Sequence, residues 1–436
     1  MISKNTDALS RLAILLLSAT CTYAQANPPA QRCADALKWT TDTLRIDAAD
    51  DQSAGTMPGS PATLPARCRV RGKISPYIGS GGKEYAIGFE LQLPYSWNGE
   101  LLFQGGGGLN GSVMPAVGPM INRGSDATLL SHHGAKVFSE VAPKDANGAP
   151  ILLQALSAPE WNLVRKAVLN ACDALDGASD GMIFNHRDRR FDPAILQCKP
   201  QQSADCLGKE KVTALQQAFA GPRDANGKPI AGEWPFDAGI AEGGYLAWRI
   251  GSVGRDGKPG TPLVTLSDLT LTKFMNYPQI PSVAFKPIDY GAMQRQIAPT
   301  ALMTDATSTD LTTFAARGGK IILVTGWSDP VFTPIDLTNW YERLTSENAA
   351  TTTPADTYAR LFMVPGMNHC GGGPALDNFA PLTAIIEWTE NGKAPVSINA
   401  TGKAFPGISR PLCAYPKFAH YSGSGATDSA ASYRCE

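Results

Sequence analysis

The sequence predicts an α/β fold built on a parallel sheet, and three consecutive stretches carry that prediction. The first, GKIILVTGWSDP from Gly319, has a β-rich core of Ile321, Ile322, Leu323 and Val324 that ends in Gly326 and is followed by Asp329. In the second, Thr333, Pro334 and Asp336 read as N-cap, first helical residue and third-position acid of a helix through Leu337, Trp340, Tyr341 and Leu344. The third, LFMVPGMNHCGGG from Leu361, is an apolar strand that stops at Pro365 and Gly366, three residues before His369. Strand, helix, strand is a parallel crossover, so Asp329 and His369 are expected at the same sheet edge. Open α/β sheets keep their chemistry at the carboxyl ends of their strands.

A carboxylate that orients a histidine base is the second half of a Ser-His-Asp system. Asp329 before His369 is the chain order of α/β-hydrolases. The competing reading makes Asp329 a helix cap and His369 merely polar. The catalytic one is preferred because both residues follow strands at equivalent places.

Taken from its start, the chain of 436 residues, 43% hydrophobic and with a formal charge of -1, is long enough for one large core plus an inserted subdomain. That near-neutral balance points away from nucleic acid and from any charged surface partner. Lys4 and Arg11, an apolar run from Leu12 to Ala19, and Ala24-Gln25-Ala26 have the form of an export signal over residues 1–26. No later segment approaches the roughly 20 apolar residues of a membrane span. A soluble secreted or periplasmic protein is therefore expected, with disulfides among the eight remaining cysteines. Cys198 with Cys206 and Cys413 with Cys435 are close and flanked by turn residues; Cys33 with Cys68 ties down the first mature segment. Cys172 and Cys370 are left over.

Cys68 to Phe103 has an antiparallel pattern: CRVRGKI, then EYAIGFELQLP with Tyr85, Ile87, Phe89, Leu91 and Leu93 on one face, then ELLFQ. It ends in a Gly-rich run from Gly105 to Gly108, where the N–H groups of Gly106 and Gly107 are candidates for an oxyanion hole. Residues 112–147 are hard to read: Ala127 to Phe138 suits a short helix or strand, with His132 and His133 expected to be exposed. Ser157 and Glu160 form a capping box for a helix through Trp161, Val164, Val168 and Leu175. That helix runs into CDALDGASDGMI. Asp173, Asp176 and Asp180 crowd its carboxyl end, where the dipole repels negative charge. A hard cation relieves such crowding, so Ca2+ is expected there, with the carbonyls of Ala178 and Met182 as further ligands. Residues 186–318 mix short helices with Pro- and Gly-rich joins and concentrate aromatics: Trp234, Phe236, Tyr245, Trp248, Phe274, Tyr277, Phe285 and Tyr290. This suits a lid whose aromatics line a pocket for a flat substrate. The expected organisation is signal 1–26, first core part 27–148, lid with the calcium loop 149–318, and second core part 319–436.

Gly105 to Asn110, CDALDGASDG, GWSDP, PGMNHCGGGPA and RPLCAYP together resemble the tannase and feruloyl esterase family, over residues 30–120 and 143–436. The resemblance implies an exported α/β-hydrolase with an inserted lid, a structural calcium and a Ser-Asp-His triad that cleaves small esters of aromatic acids. Asp329 and His369 match the acid and base. Asp173, Asp176, Ala178, Asp180 and Met182 match the calcium loop, and the Gly105 to Gly108 run matches the oxyanion loop. Two departures stand out. The family's serine follows a cysteine that bonds to the one beside the catalytic histidine, yet this chain has no Cys-Ser pair and is read as free of any G-x-S-x-G. Between Gly111 and Asn147 there is room for only a fraction of the expected βαβ units, so the central sheet is expected to be truncated, and Cys370 has lost its partner. Likewise the family cysteine expected before Arg190-Phe191-Asp192-Pro193 is Arg189 here, which strands Cys172. Two functions follow: an esterase impaired by the loss of its nucleophile, or a calcium-stabilised binding protein for aromatic esters or acids.

Overall fold

Alternation and pairing decide the first strands. The structure, a computed structural model, describes residues 33–57, 63–105, 107, 111–117, 129–253 and 259–436. The expected export signal and Gly106 lie outside these residues. The chain divides into two compact units between Ser125 and Asp126. In the first, β1 (Leu44–Gln52), β2 (Arg67–Ile78) and β3 (Glu84–Pro94) form an antiparallel sheet in the order β1-β2-β3. Phe89, Leu91 and Leu93 pack with Ile46, Val70 and the Cys33–Cys68 bridge. Tyr85 and Ile87, on the same face by pattern, are exposed beyond the edge of that small core. The expected third strand, ELLFQ, is not one: Leu101–Gln104 has no ladder partner among the described residues, and β1, which the alternation rule missed, completes the sheet instead.

The second unit opens with α1 (Leu129–Val141), where a helix or a strand was expected. His132 and His133 are not exposed as the sequence suggested. His132 is 3% exposed, within hydrogen-bond distance of the Tyr290 hydroxyl and the Val283 carbonyl, and His133 reaches the Gln217 carbonyl. Burial pushes both imidazoles below their ordinary pKa; His132 lies in the interior and His133 is half-buried. α2 (Ala158–Cys172) starts at Ser157 with the expected capping box: the Ser157 N–H donates to Glu160 Oε2 at 2.7 Å. Its Trp161, Val164 and Val168 face Phe138 of α1 and Leu215 and Phe219 of α3 (Lys209–Ala220). α4 (Gly243–Arg249), α5 (Pro262–Leu269) and α6 (Tyr290–Thr304) follow.

β4 (Ile321–Gly326), α7 (Pro334–Glu347) and β5 (Ala359–Val364) are the expected crossover, and β4 pairs with β5 in parallel from Ile321↔Ala359 to Gly326↔Val364. The two faces follow the period of two. Leu361 and Met363 pack with Tyr341 and Leu344 of α7, while Phe362 and Val364 pack toward α8 (Pro381–Asn391) and the hairpin of β6 (Ser397–Thr401) and β7 (Ser409–Cys413). β8 (Ala419–Tyr421) and β9 (Tyr433–Cys435) close the chain, with Cys413 bonded to Cys435.

All three expected disulfides are formed, with Cα separations of 5.3, 4.8 and 5.6 Å, and Cys172 and Cys370 are free. Thiol labelling of the denatured, unreduced mature protein, mapped by mass spectrometry, should modify Cys172 and Cys370 alone. A Cys172–Cys370 crosslink would contradict this arrangement.

Candidate active site

Two loops at the carboxyl ends of β4 and β5 build the site. The Trp327 N–H donates to the Val364 carbonyl and the Ser328 N–H to the Met367 carbonyl, so the acid loop lies against the base loop. The contact needs glycine: a Cβ on Gly326 would stand 1.9 Å from Met367 O, and one on Gly366, at φ +70°, would stand 2.1 Å from Pro374 O. Across this close approach His369 Nδ1 lies 2.9 Å from Asp329 Oδ2. The other carboxylate oxygen accepts from the N–H groups of Val331 (2.8 Å) and Phe332 (3.1 Å). Asp329 is therefore both the predicted partner of His369 and the cap that the competing reading proposed.

Asp329 is 4% exposed, and His369 Nε2 is buried with no hydrogen-bond partner among the described residues. Phe332 and Trp248 stand beside the imidazole, with ring centroids 5.5 and 6.3 Å away. Burial disfavours the imidazolium, but the hydrogen bond to Asp329, helped by the Cys370 sulfur, outweighs it and pushes the pKa up to about 10. No hydrogen bond of normal geometry joins Cys370 to His369. Cys370 is exposed, at φ +61°.

Of the candidate serines, Ser328 does not meet His369. Ser328 Oγ donates to Asp237 Oδ2 at 2.6 Å, pointing away from the base as its place next to Asp329 requires. Ser131 is buried in α1, Ser112 belongs to the first unit, and Ser125 lies outside the described residues. Reading the chain as free of G-x-S-x-G is wrong at one place, Gly177-Ala178-Ser179-Asp180-Gly181. That string follows the 3-10 turn Asp173–Asp176 at the end of α2, so it is no strand-to-helix elbow. Gly107 falls in the first unit.

Of the aromatics expected to line a pocket, Trp248 is the one whose ring stands beside His369 among the described residues. Trp234 and Tyr245 are buried in the helical core, and Tyr277 is 95% exposed. Asp237 and Phe332, which the sequence did not single out, belong to the site's surroundings. Asp237 follows no strand and carries no motif, and Phe332, in the loop after β4, carries no motif either.

The acidic loop is compact. Asp173 Oδ1 accepts from the N–H groups of Asp180 (3.2 Å) and Gly181 (3.0 Å), and Asp176 Oδ2 accepts from that of Phe184 (2.8 Å). Burial, reinforced by the neighbouring carboxylates, raises Asp176 to about 7. The cation nearest in sequence is not the one that answers this charge: Arg410 of β7, stacked on Tyr433, pairs with Asp180. The donor chemistry suits a hard cation. Among the described residues, however, no three acidic, histidine or cysteine side chains converge closely enough to hold a metal ion.

The raised His369 pKa gives a pH dependence with a definite sign. The folded state binds the proton more tightly, so the pair's stabilisation is full below pH 6.5 and is lost as pH rises through about 10. Asp329→Asn should lower stability by about 1.5–3 kcal/mol at the acid end, the range for hydrogen bonds to charged groups. Melting of both proteins across this window should show the difference closing; a constant difference would contradict the pairing.

The family profile for tannase and feruloyl esterase matches residues 130–436. The chain is 29% identical to mono(2-hydroxyethyl) terephthalate hydrolase of Piscinibacter sakaiensis, covering 91% of this chain and 89% of that one. It is 31% identical to an uncharacterized esterase of Xanthomonas campestris (68% and 58% covered) and 27% identical to feruloyl esterase C of Talaromyces stipitatus (64% and 54%), so it spans little more than half of these two. Feruloyl esterase B of Aspergillus oryzae has the same fold, with a TM-score of 0.71 over 94% of this chain and 100% of that one at 17% identity. Family match, similar sequences and shared α/β-hydrolase-like fold agree with the acid–base pair at the strand ends: the chain belongs to the tannase and feruloyl esterase family of carboxylic ester hydrolases.

Proposed function

We propose that this chain is an exported hydrolase for esters of aromatic acids whose acid and base persist without an elbow serine, so that turnover is slow. The observation that carries the reading is the His369 imidazole. Nδ1 is held by Asp329, while Nε2, the atom that takes a nucleophile's proton once the imidazole is neutral, is buried with no partner among the described residues, and a pKa raised to about 10 leaves that neutral form scarce near pH 7. Phe332 and Trp248 offer apolar faces beside it. The relatives are named for terephthalate and feruloyl esters, both of aromatic acids. Three disulfides suit an oxidising compartment, and no described helix is long and apolar enough to cross a membrane. The alignment to the Piscinibacter hydrolase runs over 542 positions, more than the 436 residues of this chain, so that relative has positions with no counterpart here. A lost elbow segment and truncated sheet fit that difference. The oxyanion role of Gly106 and Gly107 and the lid role of residues 149–318 rest on the resemblance. The same unpartnered Nε2 favours a second reading, a binding protein for aromatic esters that does not hydrolyse them.

Turnover of methyl ferulate and of a nitrophenyl ester should not exceed the acceleration of about 10³ to 10⁴ over water that binding and an oxyanion hole leave when a nucleophile is lost. No serine should react with a fluorophosphonate. Fast turnover abolished by His369→Ala, with a labelled serine, would show that a nucleophile is present. Ester binding with no turnover at all would select the binding protein.

We also propose that Ca2+ binds the Asp173, Asp176 and Asp180 loop with the Ala178 and Met182 carbonyls. The support is the donor chemistry: three carboxylates stand within eight residues at one helix end, with Asp176 buried, and the family resemblance implies a structural calcium at this loop. A ligand at 100 times its dissociation constant stabilises the folded state by about 2.7 kcal/mol. Melting should shift upward with calcium and back with chelator; no shift, with no calcium by elemental analysis, removes the site.

A further inference from the structure

We propose that Asp237 is a positioning residue for the Asp329–His369 pair, the fixed point that holds the acid and base loops in register. This rests on the esterase reading above only for the roles of Asp329 and His369. A single oxygen, Asp237 Oδ2, accepts from Ser328 Oγ at 2.6 Å and from the Gly366 N–H at 2.8 Å. Ser328 directly precedes the acid and Gly366 stands three residues before the base, so one atom joins the two loops. The other oxygen, Oδ1, accepts from Arg189 Nη1 at 3.2 Å. Asp237 is completely buried and the Arg189 side chain nearly so, with its guanidinium 4.5 Å from the centroid of the Trp327 ring.

Neighbouring residues tighten the same clasp. The Gly239 N–H donates to Ser328 Oγ at 2.9 Å, and Trp234 Nε1 donates to the Asp329 carbonyl at 3.1 Å. A Cβ at Gly239 would come within 2.6 Å of Ser328 Cβ and 2.7 Å of Gly366 O, so the stretch is wedged between the loops with no room to spare. Six residues, Trp234 to Gly239, thereby hold the backbone on either side of the dyad. An anionic carboxylate suits the role because it only accepts, and every group aimed at it donates.

The test reads the dyad itself and needs no turnover, so its failure and that of the esterase reading are distinguishable. In protein labelled with 15N-histidine, the His369 Nδ1–H proton should give a low-field resonance, assigned by its absence in His369→Ala. Ser328→Ala removes one arm of the clasp and leaves the Arg189–Asp237 pair in place; Asp237→Asn alters all three arms. Both should lose the resonance while the three disulfides and the circular dichroism persist. Asn276→Ala, a buried polar change in the separate cluster of Leu271 and Met293, should keep it. If Asp237→Asn does not fold, Ser328→Ala alone decides. Retention of the wild-type resonance in folded Ser328→Ala would overturn the proposal, as would its loss in Asn276→Ala.

Discussion

The parallel pairing of Ile321–Gly326 with Ala359–Val364 is the constraint on which the rest of this site depends. Strands that end level release their loops side by side, and two loops that leave together can exchange main-chain bonds before any side chain is considered. Here that exchange runs from Trp327 to Val364 and from Ser328 to Met367. It leaves no room for a side chain at Gly326. Asp329 and His369, forty residues apart, meet at 2.9 Å because the backbone beneath them has already met.

Around that junction the polar groups are buried and mutually dependent. Charges taken out of water are tolerated only where hydrogen bonds replace their hydration. Asp329 has two backbone donors and an imidazole; Asp237 has a guanidinium, a hydroxyl and a backbone donor. The two carboxylates lie on opposite sides of one backbone: Ser328 turns toward Asp237 while its neighbour turns toward His369. Apolar packing keeps this arrangement dry. Trp327 lies under Arg189 and stacks with His186, which in turn stacks with Tyr415. Burial between these rings, with Arg189 and Arg187 close by, depresses His186 to about 4, so it contributes surface and no charge.

The acidic loop follows a different logic. Three aspartates at a helix end invite a cation from solution, yet the chain also brings its own in Arg410 from β7. Asp173 and Asp176 meanwhile bind backbone N–H groups, which holds the turn through Gly177 and Gly181 in shape. The loop thereby ties the end of α2 to the C-terminal hairpins, and the Cys413–Cys435 bridge fastens those hairpins together.

Local chemistry explains what was legible in the sequence alone. The β4–α7–β5 crossover, the Ser157 and Thr333 caps, the places of Asp329 and His369 after strands, and the Cys198–Cys206 and Cys413–Cys435 bridges each depend on residues close together or on a period that a single segment displays. Tertiary structure decided the rest, because the partners are distant in the chain. The burial of His132 and His133 depends on Tyr290, Val283 and Gln217; Arg410 reaches Asp180 from the far end of the chain; β1 displaces ELLFQ as the third strand. Asp237 is the clearest case. Nothing in the run from Glu233 to Gly239 announces a carboxylate that joins two loops, because its donors come from positions 189, 328 and 366 and only the folded chain makes them neighbours.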